Sequence, residues 1–570
     1  MVTVRSILGL AALVPIAVAA PLEERAKSKS FLKQIDGSTW VIGNELWNVT
    51  QGQQYATKLM YKGKDLVGDA VGHYVSYNGA ASDLNWTSAA IVDSGSNYIN
   101  VKFTAVGGDF HWVIYDDLVG AYQYFVNRAL PVLGEFRTLW RLDNQSFPNG
   151  RTNIKDGVLP PLSEYASATN VQDETWQKAD GTFLTKYDWS AFIKDVDFHG
   201  VYGEEFGSWY INPGKDYING NHLKQELMIH RESKTGDAVQ LNMIHGTHYQ
   251  AVSRDAFADG KTWGPWLWYL NSGSQSDAAS RAKQEDRAWP YKWFKDAAYQ
   301  SRGKIQGKLV LSDGRPAAGA AVFLGDNNPS VSSLDQGRDY YYITYADENG
   351  KFSIRDVRTG TYGLEAWSNG GKIADVSTLH RESEIQIRKG SNTNLKTLTW
   401  KVADVKKRIF QVGEFDRKTT GFALSGPHPY EHGRIANCPT DITYRVGESD
   451  TSDWCFGQSE VGSHSIVFPL DSLPAGNSSA AKLTVSLAGF SQGSKADVLL
   501  NNVKIGNITD MPNSQDTYRG ATQAGEWRLL EFAVGAGALK AKEENKIEFK
   551  VYSSAQWRGW LWDSIILEWV

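Results

Sequence analysis

Tyr98-Ile99-Asn100-Val101-Lys102-Phe103-Thr104-Ala105-Val106, Phe110-His111-Trp112-Val113-Ile114-Tyr115 and Tyr122-Gln123-Tyr124-Phe125-Val126 follow one another with short Gly- and Asp-containing breaks between them. Each run is brief, rich in aromatic and β-branched side chains and bounded by turn formers, which is how strands joined by tight connections read. The same texture extends outward through Thr39 to Leu46, Val239 to Ile244 and Trp266 to Leu270. From about Ser38 to Tyr269 the expectation is a large all-β sandwich. Helical periodicity is sparse; Ser276 to Trp289 carries it best, with Ser276 as N-cap and Pro290 as the stop.

Beyond the charged stretch from Lys292 to Lys304 the pattern restarts. Lys304 to Leu311 leads into the turn Ser312-Asp313-Gly314-Arg315-Pro316 and a strand from Ala320 to Leu324, and Asp347-Glu348-Asn349-Gly350 before Lys351-Phe352-Ser353-Ile354 is a hairpin signal. This predicts a second, seven-strand-type sandwich of about a hundred residues. A third unit from about Ala403 to Val570 offers strands at Arg408 to Val412, Ser465 to Phe468, Lys482 to Leu487, Asp497 to Leu500, Trp527 to Val534, Lys546 to Val551 and Ser564 to Trp569, a pattern that fits a jelly roll. The domain reading is thus 21–302, 303–402 and 403–570, in a chain whose 570 residues exceed one hydrophobic core.

Residues 1–20 have a basic start ending at Arg5, an apolar run from Ile7 to Val18 and small residues at Ala17, Ala19 and Ala20, the form of a cleavable secretory signal. That run is too short to span a bilayer, so a secreted, extracellular protein free of the membrane is expected. Sequons starting at Asn48, Asn85, Asn144, Asn477 and Asn507 suit glycosylated export. Cys438 and Cys455 are the only cysteines, and outside the cell one local disulfide is the natural reading. A net charge of −5 with no basic stripe argues against a nucleic-acid partner. The 21 Trp and 26 Tyr serve sandwich cores first, while exposed ones could stack on pyranose faces.

Four residues stand out as candidates for chemistry. Along Glu135 to Leu142 side chains alternate, so Phe136, Thr138, Trp140 and Leu142 share one face and Glu135, Arg137, Leu139 and Arg141 the other. Arg137 and Arg141 would stand about 13 Å apart at roughly 3.3 Å per residue, the span of two or three sugar rings. A guanidinium binds a carboxylate through two hydrogen bonds; the competing reading pairs Arg137 with Glu135 at the surface. Lys186 lies among Phe183, Leu184, Tyr187 and Trp189, whose desolvation would lower its proton affinity while Asp188 would oppose that, and a snorkelling surface lysine is the alternative. His248 follows the run Val239 to Ile244 beside Gly246 and could move a proton. His245 is its rival; the two as His-x-x-His, with His222 and His230 nearby, make a weaker zinc reading. Hydrolysis would need two flanking acids; Glu204, Glu205, Asp195, Asp197 and Glu226 are available, without a signature.

Gly134-Glu135-Phe136-Arg137 with Arg141-Leu142, Thr185-Lys186-Tyr187, Leu223-Lys224-Gln225-Glu226-Leu227, Gly246-Thr247-His248-Tyr249 and Gly264-Pro265 before Tyr269-Leu270-Asn271-Ser272 resemble, in order, the blocks of polysaccharide lyase family 4, the rhamnogalacturonan lyases. Ile409 to Asp416 with Thr420-Gly421-Phe422 resembles the opening of that family's third domain, so the likeness covers essentially the mature chain. The resemblance implies a large β-sandwich catalytic domain, a fibronectin-III-like sandwich and a C-terminal jelly roll like carbohydrate-binding modules. It implies a pectic substrate, the rhamnose and galacturonate backbone, cut by β-elimination to leave a 4,5-unsaturated galacturonate. By matching position it makes Lys186 and His248 catalytic and Arg137 and Arg141 substrate-binding. Gln240 and Asn242 stand where fungal members carry tyrosines, a departure that touches the subsites.

No redox cofactor and no metal is implied; calcium does the arginine's work in other lyases, but no acid cluster here calls for it. A monomer is expected. The alternatives are a hydrolase of a plant glycan, and a non-catalytic carbohydrate-binding protein in which Trp557, Trp560 and Trp562 could form a sugar platform, with core packing of the three as the competing reading.

Overall fold

A strand buried on one side needs apolar residues at every second position, and the first 270 residues supply them for two sheets that face each other. The computed structural model describes residues 29–78, 84–219, 223, 225–246, 248–249, 257–330, 337–475 and 479–570. The signal reading of residues 1–20, the sequon at Asn477 and His222 lie outside them.

The first unit holds two nine-stranded sheets. One places Glu135–Leu142 between Gly72–Tyr77 and Ala238–Gly246. The other runs through Tyr98–Thr104, Gly108–Tyr115, Gly120–Asn127 and Thr262–Asn271 as antiparallel neighbours. The first of these strands stops at Thr104, two residues short of the apolar run in the sequence, and Val106 is exposed in the turn. Between the sheets Trp140 stacks on Trp268 with ring centroids 5.0 Å apart, and Trp47 meets Trp268 edge-on at 5.3 Å. Most tryptophans therefore build cores, with twelve among the fully buried side chains. The helix spans Gln275–Ala288, and its cap is Ser274, whose hydroxyl accepts from Asp277 N at 3.2 Å, rather than Ser276. Asp277 Oδ2 also accepts from Tyr269 and Asn271, which ties the helix start to the sheet.

The second unit packs the sheet Lys351–Arg358, Arg302–Leu311, Asn392–Trp400 against the sheet Tyr342–Tyr345, Ala321–Asp326, Gly360–Trp367, His380–Ile387. The hairpin read at Asp347 to Gly350 forms: Asp347 Oδ1 accepts from Asn349 N and Lys351 N, each at 2.8 Å. Gly350 has φ 76°, and a Cβ there would fall 2.1 Å from the carbonyl oxygen of Leu309, so only glycine fits. The third unit has two five-stranded sheets, one centred on Trp560–Trp569 and Ala481–Phe490, the other on Gly462–Pro469 and Glu544–Ser553. Cys438 and Cys455 are joined, with Cα atoms 5.8 Å apart. Trp560 and Trp562 lie in this core, and Trp557 packs on His432 at 4.5 Å and on Phe183 of the first unit at 5.2 Å. All three are buried, so they form no sugar platform. Of the sequons, Asn85 and Asn507 are exposed and Asn48 and Asn144 half-buried. No described helix is long and apolar enough to cross a membrane.

Charged clusters hold the units together. Asp216 of the first unit is buried and accepts from Arg302 Nη1 and Arg358 Nε, each at 3.0 Å, while Arg358 lies 3.9 Å from the centre of the Tyr340 ring. Burial would push the Asp216 carboxyl up, but Arg358 and Arg302 outweigh it and hold the group below its ordinary range. Glu365 of the second unit takes Arg417 of the third at 2.9 Å, and that guanidinium sits between Trp367 and Trp527 at 4.0 and 3.9 Å. Removing one member of such a buried cluster strands the opposite charge. Asp216→Ala is expected to lower the unfolding free energy by about 3–5 kcal/mol. Chemical denaturation checks this; a loss under about 1 kcal/mol, the value of a surface pair, would show that the cluster does not hold the seam.

Candidate active site

The outward face of Glu135–Leu142 carries the two arginines, and alternation puts its other face, Phe136, Thr138, Trp140 and Leu142, wholly inside the sandwich. Next to it, the pairing with Ala238–Gly246 slips by one residue between Phe136 and Arg137: Phe136 pairs His245 and Arg137 pairs Met243. Residues paired across antiparallel strands share a face. His245 therefore points with Phe136 into the core, its ring 4.8 Å from Phe257 and 6.3 Å from Trp263. His248, beyond the strand's end, turns to the arginine side. The bulge separates the rivals and takes the zinc reading with it, since the two imidazoles look opposite ways. It also places Gln240 and Asn242 inside: Gln240 Oε1 accepts from Ser208 at 2.7 Å and Asn242 Oδ1 from Asn212 at 2.9 Å. Val239, Leu241 and Met243 pair with Arg141, Leu139 and Arg137 and share their face, so on this strand those three, and not Gln240 and Asn242, lie on the arginine side.

Arg137 does pair with Glu135, at 2.8 Å, and it also reaches His248 Nδ1 at 3.2 Å and donates through Nε to Ser76 Oγ at 3.1 Å. Glu135 Oε2 lies 3.1 Å from the same His248 nitrogen. Burial raises the Glu135 carboxyl, but Arg137 and then His248 overcome it and hold it at about 2. Burial likewise depresses His248, with Glu135 opposing, to about 4, which favours the neutral imidazole. Its backbone is anchored separately: Glu226 accepts from His248 N at 3.1 and 3.0 Å and from Leu227 N at 2.9 Å. That use ties Glu226 to the loop rather than to hydrolysis, while Asp195 pairs with Lys194, Asp197 with Arg151, and Glu204 and Glu205 are exposed. Arg141 pairs with Glu232 at 2.9 Å and takes Tyr74 OH through Nε at 3.1 Å.

Lys186 opens a 3-10 turn, Lys186–Trp189, whose cap Thr185 accepts from Tyr187 N at 3.3 Å. Its amine is nearly covered, and burial lowers its proton affinity as the aromatic neighbours suggested. The opposing carboxylate is Asp173, 3.2 Å away, and not Asp188, which faces Lys155 at 3.8 Å and is pushed up to about 6 by burial. Asp173 also accepts from Tyr187 OH at 2.9 Å. Lys186 and His248 belong to one neighbourhood. Tyr187, next in sequence to the lysine, has its ring 6.0 Å from the imidazole, and buried His230 feels Lys186, Arg141 and His248 together.

The third unit closes this neighbourhood, which nothing in the sequence spacing announced. Arg519 donates to the carbonyl of His248 and lies 3.4 Å from Asp173. Tyr187, Tyr249 and Tyr430 form a buried cluster across the seam, and Gln172 and Gln225 donate to the carbonyls of Tyr518 and Ala524. Among the described residues no group of three or more His, Cys, Asp or Glu is arranged to hold a metal ion.

Comparison with known proteins matches residues 312–395 to polysaccharide lyase family 4, domain II, and residues 408–567 to polysaccharide lyase family 4, domain III. Rhamnogalacturonate lyase of Dickeya dadantii is 28% identical over 450 residues, covering 76% of this chain and 74% of that one. Probable rhamnogalacturonate lyase B of Aspergillus niger is 25% identical over 508 residues, 75% and 67% of the two chains. Its namesake in Neosartorya fischeri is 24% identical over 582 residues, 85% and 83%. Behind a sandwich that gathers a lysine, a histidine and two arginines, the second and third units thus match, in order, the second and third domains of polysaccharide lyase family 4.

Proposed function

We propose that the protein is a secreted rhamnogalacturonan lyase that breaks the bond between rhamnose and galacturonate by β-elimination. The observation that carries this reading is the meeting of a desolvated amine and an imidazole beside a guanidinium. The names of its relatives give the polymer.

In this reading the galacturonate carboxylate docks on Arg137, and Arg141 holds the chain one or two rings away. The proton at C-5 is only weakly acidic, and its loss sends charge onto the carboxylate. A guanidinium there stabilises the enolate more than the ground state. Lys186, neutral, takes the C-5 proton; the electron pair forms the C-4 to C-5 double bond, and the bond from C-4 to its oxygen breaks. His248 gives a proton to that departing oxygen. Burial favours the neutral imidazole, and the arriving carboxylate is an anion that favours its charged form. The products are a 4,5-unsaturated galacturonate and a free rhamnose end. Calcium is not required by this scheme, because guanidinium groups supply the positive charge.

Lys186→Ala and His248→Ala should each remove the rise in ultraviolet absorbance of a conjugated uronate on rhamnogalacturonan oligomers, with thermal unfolding nearly unchanged. Near-normal turnover in both would sink the assignment, and products without the double bond would mark a hydrolase. Arg137→Lys should lower kcat about tenfold or more, because a point charge replaces a planar pair of donors; an unaltered rate would take Arg137 out of the site. Asp173 raises the proton affinity of Lys186, so Asp173→Asn should move the acid limb of the pH–rate profile to lower pH. A limb that stays put or moves the other way would contradict the lysine as base.

A further inference from the structure

Arg519 is a single residue with an unusual set of contacts. It stands in the third unit, 271 positions from His248 and 346 from Asp173. Its Nη1 donates to the carbonyl of His248, its Nη2 lies 3.4 Å from Asp173 Oδ2, and its guanidinium carbon is 5.0 Å from the centre of the Tyr187 ring. The side chain is about nine-tenths covered. Its own backbone is fixed by bonds to the carbonyls of Gln515 and Asp516, and Gln515 N in turn donates to the carbonyl of Tyr249. A planar fork held this firmly can set two acceptors at a fixed separation, which a lysine cannot do.

We propose that Arg519 is a positioning residue of the active site, through which the third unit seats the backbone of His248 and takes a share of Asp173 away from Lys186. The inference rests on the reading of Lys186 and His248 as the proton-transfer pair. Without Arg519, Asp173 would belong to Lys186 and Tyr187 alone, and the carboxylate would bind the ammonium form more tightly. The charged and titratable groups around the amine are Asp173 and Glu174 from the neighbouring hairpin, Glu232 beyond Arg141, His230, His248 and Arg519. Burial is the main cause that lowers Lys186; Asp173 opposes it, and Arg519 adds to it. Arg519 also helps hold the Asp173 carboxyl below its ordinary range, after Lys186, against burial. One guanidinium thus favours the neutral base and keeps its carboxylate partner ionised.

The test uses the full chain and rhamnogalacturonan oligomers, with kcat, KM and the pH–rate profile measured for wild type, Lys186→Ala, Arg519→Met and Arg519→Lys, and thermal unfolding recorded for each. Loss of the guanidinium returns Asp173 to the lysine and removes a positive neighbour, so Arg519→Met should move the acid limb up by about one pH unit. With it kcat should fall on the order of tenfold while KM changes little. An inactive Lys186→Ala together with an unmoved limb and unchanged kcat in Arg519→Met overturns the role of Arg519 and leaves the base assignment standing; an active Lys186→Ala overturns both. Should Arg519→Met fail to fold, Arg519→Lys decides: it keeps the charge but cannot span both acceptors, so kcat must fall with the limb nearly in place. Full activity in Arg519→Lys overturns the proposal.

Discussion

The one-residue slip between Glu135–Leu142 and Ala238–Gly246 governs what this sheet can do. Alternation gives a strand two chemically distinct faces, and inserting one residue exchanges them from that point on. Before the slip, the side chains that share the arginine face are Val239, Leu241 and Met243; after it, His245 turns inward with Phe136, and the chain leaves the sheet so that His248 emerges beside Arg137. Without the slip His245 would fall on the arginine face, pinned in register. Leaving the ladder lets Glu226 and Arg519 hold His248 by its backbone N–H and carbonyl, while Glu135 and Arg137 hold the ring. A neutral imidazole gripped from four sides loses little freedom when it meets a substrate.

The same economy of buried charge joins the three units. Asp173, half exposed, takes Lys186 and Arg519 at one seam, while Asp216 with Arg302 and Arg358, and Glu365 with Arg417, each bury an acid against cations at another. Such groups are costly to bury alone and tolerable together, so they resist partial undocking more than they add to net stability. Specific placement is what they contribute: a guanidinium between Trp367 and Trp527, or over Tyr340, admits one arrangement of its neighbours.

Strand texture was the most legible property of this sequence, because a half-buried strand writes its period directly into the residue types. The faces of Glu135–Leu142, the turn at Asp347 to Gly350 and the pairing of Cys438 with Cys455 follow from local chemistry and could be read without any fold. The bulge could not, since no glycine or proline interrupts Asn242 to His245 to mark it; only the core position of His245 reveals it. Lys186 was legible through its aromatic neighbours, but Asp188, two positions on, looked like its partner when Asp173, thirteen positions earlier, holds that place through the hairpin Thr169–Gln172 and Thr175–Gln177. The spacing of Trp557, Trp560 and Trp562 fits a sugar platform and a core alike, because it says nothing of which side of a sheet is covered; burial decides for the core. Arg519 gave no signal at all: its meaning depends on contacts across more than two hundred residues.

Trp557 meets His432 and Phe183, and Gln225 reaches the carbonyl of Ala524, so the C-terminal jelly roll spends its aromatic surface and part of its backbone on the sandwich beside it. A module docked in this way is not an interchangeable appendage. Recombination could graft such a roll onto another enzyme only by leaving behind an open wound of tyrosines and an unsupported histidine loop, which would keep the two halves travelling together through evolution as one inherited piece.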